Sequence, residues 1–271
     1  MAGPIRKEQS TMTTAERKAF TDAVLAMKKN GSYDRYVRDH NRFFAAVGNT
    51  RWAHVSPSFL PWHRQFLINF EKDLQRVSTP NMFLPYWDWS RTGGRREDTL
   101  WSDQMMGTSD RNTGVVNSGP FRAGNWSVVQ LSSNSTSLVR RQQWNSSLPT
   151  ASQVRQVLSL TNYDASPYGT TPTNSFRNNL EGFVGPNLHN RVHVWVGGHM
   201  AQADSPNDPL FFLHHCFIDK LWADWQKAHP TSTQYVPAVR TGQVIGLRDT
   251  MQPFSSTPEQ MLDHTRFYTY A

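Results

Sequence analysis

A mainly α-helical fold is predicted by three features of the sequence: apolar residues recurring every three or four positions, capping signals at the starts of those segments, and histidines set inside them. The first helix opens at Thr13, whose side chain can cap while Glu16, three residues on, reaches back to the cap amide. Its residues Ala19, Ala23, Leu25 and Ala26 keep broadly to one side until Gly31 stops it. In the second helix, "YDRYVRDHNRFFAAV", Tyr33, Tyr36, Val37, His40 and Phe44 share one face, so His40 points inward. A third helix runs from about Pro61 to Val77, with proline suited to its first turn. From Gly93 to Thr150 the chain is rich in Ser, Asn, Gly and Arg with weak periodicity, which predicts a long irregular excursion with short strands. Thr150 and Gln153 form a second capping box for a helix to about Leu160, and "TNYDASPYGTTPTNS" reads as a loop. The last helices lie around "GPNLHNRVHVWV" and "DPLFFLHHCFIDKLWADWQKAHP", the latter bounded by Asp208-Pro209 and Pro230.

With 271 residues, 37% of them hydrophobic and 12% aromatic, the chain can bury a substantial core, and no internal repeat of fixed period divides it. The reading is one domain over residues 1–271, with a flexible segment at 1–12. No stretch approaches the roughly 18 uninterrupted apolar residues of a membrane span. The polar start "MAGPIRKEQSTMTTAERKAF" lacks the apolar segment of a signal peptide, so no export address of its own is expected. The single cysteine, Cys216, rules out an intrachain disulfide and leaves packing or bound metal to supply stability. A formal charge of +7 favours acidic partners. The basic residues are scattered, as in "RTGGRRE" and "LVRRQQW", without a nucleic-acid motif, and read as solvated surface. Neither nucleic acid nor membrane is expected as a partner.

The ten histidines carry the functional argument. His189 and His193 are four apart, which on a helix puts both on one face about 5–6 Å apart, a suitable grip for one metal. His214 and His215 sit inside the apolar "FFLHHCFIDKLW", where an unpartnered imidazole costs roughly 1–3 kcal/mol. Successive helical residues diverge by about 100°, so the two cannot easily serve one metal and one of them is structural. A second set combines His40 on an inward helical face, His54 in an extended stretch and His63 directly after "FLPW". His229 and His264, in "KAHP" and "LDHT", read as surface residues. Hydrolytic zinc sites would carry a Glu inside the motif, as in HExxH, whereas Asn190 follows His189 here, and the Glu-x-x-His pairs of di-iron bundles are absent. A shell of neutral imidazoles favours copper in its singly charged state, and its oxidised form would draw anions such as phenolate. Such a site suits O2 and phenols.

At these residues the chain resembles the bacterial tyrosinases, members of the type 3 binuclear copper family that includes catechol oxidases, o-aminophenol oxidases and haemocyanins. The similarity rests on "HVSPSFLPWHRQFLINFE", "LPYWDWS", "LEGFVGPNLHNRVHVWVGGHMA" and "SPNDPLFFLHHCFIDKLW", and runs from the first helix to the closing "LDHTRFYTY". The resemblance implies a four-helix bundle around a dicopper centre, with short strands and long loops outside it. It implies two copper ions, with His40, His54 and His63 on the first and His189, His193 and His215 on the second; His214 is then a neighbour. The implied activity is ortho-hydroxylation of monophenols such as L-tyrosine and oxidation of o-diphenols such as L-DOPA to o-quinones with O2, as in melanin-type pigment formation. Glu181 and Asn190 match the pair that holds a water for removing the monophenol proton. Val194, His199 and Ser205 match the substrate-pocket region, with His199 near enough to the second copper to alter rim polarity or aid metal capture. The resemblance further implies a separate caddie protein that delivers copper, and places the chain either in the cytoplasm or outside the cell in complex with that partner.

Other residues have competing readings. Glu181 either acts at the site or pairs with Arg177 or Arg191; Asp219 either orients a copper-shell imidazole or makes a salt bridge in the helix core. Cys216 reads as a small buried hydrophobe, and Tyr86, Trp87 and Trp89 as packing. Relatives with a cysteine-histidine thioether carry the cysteine two residues before the second ligand of the first copper, and Trp52 occupies that place, so no crosslink is expected. Competing activities are an o-aminophenol or catechol oxidase of secondary metabolism, a haemocyanin-like oxygen carrier and, more remotely, a mononuclear zinc hydrolase.

Overall fold

A computed structural model describes residues 3–92, 95 and 98–271. Helix α1 spans Thr14–Lys29 and opens on the expected capping box, Thr13 receiving the Glu16 amide while the Glu16 carboxylate accepts from the Thr13 N–H. Helix α2 spans Ser32–Phe44 and buries Tyr33, Tyr36, Val37 and His40 as the spacing predicts, but Phe43, not Phe44, completes the stripe. Phe43 lies three and seven residues beyond His40 and Tyr36, in line with the helical repeat. Phe44 is 46% exposed and lies against the His54 ring at 4.8 Å between centroids. Helix α3, Phe59–Val77, begins two residues before Pro61, which sits in the first turn where no intrahelical N–H is needed.

After α3 comes a single turn, α4 at Trp89–Thr92. The predicted start of the excursion at Gly93 lies outside the described residues. Among the described residues from 95 to 149 the excursion holds a short 3-10 turn at Thr99–Trp101 and isolated bridges, Ser109 with Val116 and Val115 with Val139, in place of the expected short strands. Strand pairing gives way because the segment is anchored through side chains. Arg140, fully buried, donates to both Asp208 carboxylate oxygens at 2.6 and 2.8 Å and to the Met106 carbonyl at 2.7 Å. The Trp126 indole donates to the Asn207 carbonyl at 2.9 Å. Both contacts strap the excursion to the turn that precedes the last long helix.

Helix α5, Ala151–Leu158, carries the second capping box. Helix α6, Phe176–Glu181, follows the predicted loop and has no counterpart in the sequence reading, since its six residues are too few to show a helical period. Helices α7, Leu188–Val196, and α8, Leu210–Ala228, match the two predicted histidine-bearing segments. In the core α3 packs against α1 and α8, and α6 against α7. These contacts bring the histidines of α2, α3, α7 and α8 to one region.

The expectation of a flexible segment at 1–12 is corrected from Gly3 onward; residues 1 and 2 lie outside the described residues. Strand β1, Ile5–Arg6, pairs in parallel with β2, Thr269–Tyr270. The physical reason is Arg6, which is fully buried, donates to Glu71 at 2.9 Å and Asp219 at 3.4 Å, and stacks its guanidinium 3.3 Å above the Tyr268 ring. Asp219 also accepts from Arg64 Nε at 2.6 Å and from the hydroxyls of Tyr268 and Tyr270. Burial would raise this carboxyl, but Arg64 and Arg6 beside it hold it below the usual range. Asp219 is thus a buried ion-pair centre, its hydrogen-bond partners among the described residues being two arginines and two tyrosines and not a ligand imidazole. His229 and His264, expected at the surface, are half-buried, and His229 Nε2 lies 2.8 Å from the Leu158 carbonyl.

Candidate metal centre

Four of the six candidate imidazoles are oriented by the same device. The Nδ1 of His40 faces the Ala203 carbonyl at 2.7 Å, that of His63 the Phe59 carbonyl at 2.9 Å, and that of His193 the Met200 carbonyl at 2.6 Å. His189 Nδ1 faces the Glu181 carbonyl at 3.1 Å and Asn190 Oδ1 at 3.0 Å. A carbonyl oxygen only accepts, so each Nδ1 carries the proton and each Nε2 presents a lone pair inward. His40 Nε2 and His63 Nε2 are buried without a hydrogen-bond partner. His189 Nε2 and His193 Nε2 both lie 3.2 Å from His215 Nε2. Several lone pairs converging in a dry space require a cation.

Burial also keeps these rings neutral. It drives the imidazoles of His40 and His193 down to about 3 and about 4, and pushes those of His54, His63, His189 and His215 well below the ordinary value, with neighbouring imidazoles adding to the effect in these four. Neutral imidazole is the ligand form.

The rings form two adjoining groups, His40, His54 and His63, and His189, His193, His214 and His215, with ligand nitrogens in each group within 4.8 Å of one another. His63 and His215 stack across the boundary at 4.4 Å. The donor set therefore fits two copper ions: all-nitrogen, uncharged and held by aromatic walls, with Phe211 stacked on His215 at 4.0 Å and Phe59 edge-on to His189 at 5.0 Å. The structure brings all six expected ligands together. His214 joins the second group by distance, although the sequence reading places it as a neighbour.

A cavity of about 460 Å³ opens onto the histidines, with Glu181, Asn190, Val194 and Ser205 in its lining. Ser205 is buried in the wall, while Val194 is 55% exposed at the mouth beside Phe44 and Phe183. His199 corrects its expected place in the substrate pocket. It is buried outside the cavity lining, and its Nδ1 accepts the Val139 N–H at 3.0 Å, so the ring fastens the excursion to the turn after α7. Phe44, which the helical spacing places on the inward face of α2, lines the cavity together with Val55 and Phe183; an aromatic at the end of an amphipathic helix carries no signal of whether it meets core or substrate.

Glu181 ends α6 with both carboxylate oxygens engaged, Oε2 with Arg177 at 2.8 Å and Oε1 with the Val55 N–H at 2.7 Å. Arg177, not Arg191, is therefore its ionic partner. Burial raises the carboxyl to about 7 against the opposing pull of Arg177 and the Val55 amide. Val55 holds a left-handed φ of +56°, a costly conformation for a β-branched residue, and that turn delivers its N–H to Glu181 directly after His54.

Cys216 follows a candidate ligand yet turns away, its Sγ 3.6 Å from the Leu84 carbonyl, and burial pushes the thiol up to about 12. At the thioether position Trp52 donates its indole N–H to the Val47 carbonyl at 3.1 Å. Iodoacetamide is expected to leave the native protein unlabelled and to label it once after denaturation, and the intact mass to show no loss of two hydrogens. Labelling of the native form at neutral pH would contradict the packing of Cys216.

Residues 30–228 match the family model described as the common central domain of tyrosinase. The chain is 46% identical to the tyrosinase of Streptomyces antibioticus over 275 residues, covering 98% of each sequence. It is 42% identical to grixazone synthase of Streptomyces griseus, again covering 98% of each. In fold it is similar to a polyphenol oxidase from Thermothelomyces thermophila, with a TM-score of 0.75 at 20% identity over 99% of this chain and 89% of that one. An octopus hemocyanin functional unit gives a TM-score of 0.67 at 20% identity, covering 99% of this chain and 68% of that one.

Proposed function

The chain belongs to the tyrosinase family, and from that premise we infer that His40, His54 and His63 hold one copper ion and His189, His193 and His215 the other, within one domain over residues 1–271. The protein is a copper-dependent oxidoreductase with tyrosinase function, converting phenols to o-quinones with O2. The observation that carries the ligand assignment is the shared tautomer: carbonyl acceptors on Nδ1 turn the Nε2 lone pairs of His40, His63, His189 and His193 toward one dry space. When bound, the copper pair supplies O2 activation and the exchange of electrons with the substrate.

The remaining work falls to the cavity. Phe44, Phe183 and Val194 at its mouth hold the substrate ring, Ser205 leaves room beside it, and the apolar wall excludes water. A monophenol, with an ordinary pKa of about 10, must lose its hydroxyl proton before hydroxylation. Glu181 and Asn190 face the cavity, and each Glu181 oxygen retains a further lone pair with which to hold a water that takes this proton. Glu181→Gln is expected to lower hydroxylation of L-tyrosine by about 10²-fold or more while L-DOPA oxidation falls far less. Equal losses in initial-rate assays would remove the role.

The overall test is O2 uptake by copper-loaded protein with L-tyrosine, L-DOPA and o-aminophenol side by side. Quinone formation from both amino acids is expected. Turnover of the aminophenol alone would instead favour the o-aminophenol oxidase reading. Copper delivery by a separate caddie protein belongs to the same proposal and is supported by the exposed apolar rim of Phe44, Phe183 and Val194. Complete loading of the isolated apo-protein from free copper within minutes would remove the need for such a partner.

A further inference from the structure

His214 is a fourth imidazole within ligand distance of the second metal group, stacked on His189 at 5.2 Å and edge-on to His193 at 4.9 Å. It is fully buried. Four imidazole nitrogens around one ion would close the coordination shell, whereas a catalytic metal keeps an open position. Something must keep His214 out.

Its hydrogen bond does so. The Trp89 indole N–H lies 3.1 Å from His214 Nδ1. An indole nitrogen can only donate, so Nδ1 of His214 must accept and its proton must sit on Nε2. This is the reverse of the arrangement at His40, His63, His189 and His193, where a carbonyl holds the proton on Nδ1. The Nε2 of His214 is buried without a hydrogen-bond partner. A protonated Nε2 has no lone pair to give a metal.

We propose that Trp89 is a positioning residue that selects the non-ligating tautomer of His214 and so keeps a coordination position on the second copper open for O2 and substrate. The proposal rests on the reading that His189, His193 and His215 bind that copper. Trp89 occupies the "PYWDW" cluster and lies edge-on to Phe217 at 4.9 Å, so its ring packs the core while its N–H sets the proton on His214.

Two measurements test it on the full chain. In the zinc-loaded wild type, long-range nitrogen–proton correlation spectra are expected to show His214 protonated on Nε2 and the metal-bound rings protonated on Nδ1. A His214 protonated on Nδ1 or metal-bound would overturn the proposal, while failure to load two zinc ions would instead count against the ligand assignment. Trp89→Phe keeps the ring and removes the donor. In its copper(II) form, X-ray absorption and electron paramagnetic resonance are expected to show the second copper passing from three imidazole nitrogens to four, with slower metal loss to a chelator and O2 uptake lower by about 10–100-fold. Adding His214→Leu to this variant should return the count to three. An unchanged nitrogen count in a folded Trp89→Phe protein would sink the idea.

Discussion

Replacing His189 with asparagine is expected to lower O2 uptake with L-DOPA by more than about 10²-fold, since loss of a direct ligand should exceed the 10–100-fold typical of outer-shell partners. Copper content should fall from two ions per chain toward one. The residue is chosen because His189 serves three contacts: its Nε2 lies 3.2 Å from His215 Nε2, its Nδ1 faces the Glu181 carbonyl at 3.1 Å, and its ring touches Phe59 at 5.0 Å. Asparagine keeps polar groups in the pocket without an inward-facing imidazole. Circular dichroism should report the same helix content, and metal analysis by mass spectrometry should report the missing copper. Two coppers retained in the variant would remove His189 from the ligand set.

The second large effect concerns stability and lies away from the cavity. Asp219→Asn is expected to destabilise the fold by about 3–5 kcal/mol, the range for removing one partner from a buried ion pair. Asp219 holds Arg64 at 2.6 Å, Arg6 at 3.4 Å and the hydroxyls of Tyr268 and Tyr270, so the change leaves the buried Arg64 guanidinium without its carboxylate partner and Arg6 with Glu71 alone. At the 2–4 °C per kcal/mol typical of chains near this size, the melting temperature should drop by roughly 10 °C. Lys18→Ala is the contrast. Its pair with Asp22 spans one helical turn with side chains 73% and 56% exposed, and exposed pairs contribute about 0.3–0.5 kcal/mol. A differential-scanning measurement giving both variants similar small shifts would show that the buried network does not join the two ends of the chain as its geometry indicates.

The histidine site was unusually legible because its signals are local. The inward turn of His40 follows from its spacing to Tyr36 and Val37, and the capping boxes at Thr13 and Thr150 are four-residue patterns that the structure reproduces. The same local logic fails where the decisive partner is remote. Phe43 and Phe44 are adjacent and chemically identical, and only the packing of α2 assigns one to the core and the other to the cavity mouth. Arg6 falls within the segment expected to be flexible until Glu71, Asp219 and Tyr268 are brought around it. His199 matches a pocket position by alignment of motifs, yet the Val139 amide turns its ring to a structural task.

The sequence by itself determined the longer helical segments, the six histidines, the absence of an intrachain disulfide and, through its motifs, the family and its copper chemistry, because residue identity and short-range spacing carry all of these. The tertiary structure alone decided which nitrogen of His40, His63, His189, His193 and His214 bears its proton, which oxygens Glu181 shares with Arg177 and Val55, and how Asp219 ties together residues from both ends of the chain. Those outcomes turn on groups that only packing brings near, the Ala203 carbonyl beside His40, the Val55 N–H beside Glu181 and the Trp89 indole beside His214, whose positions exist only after the helices have packed.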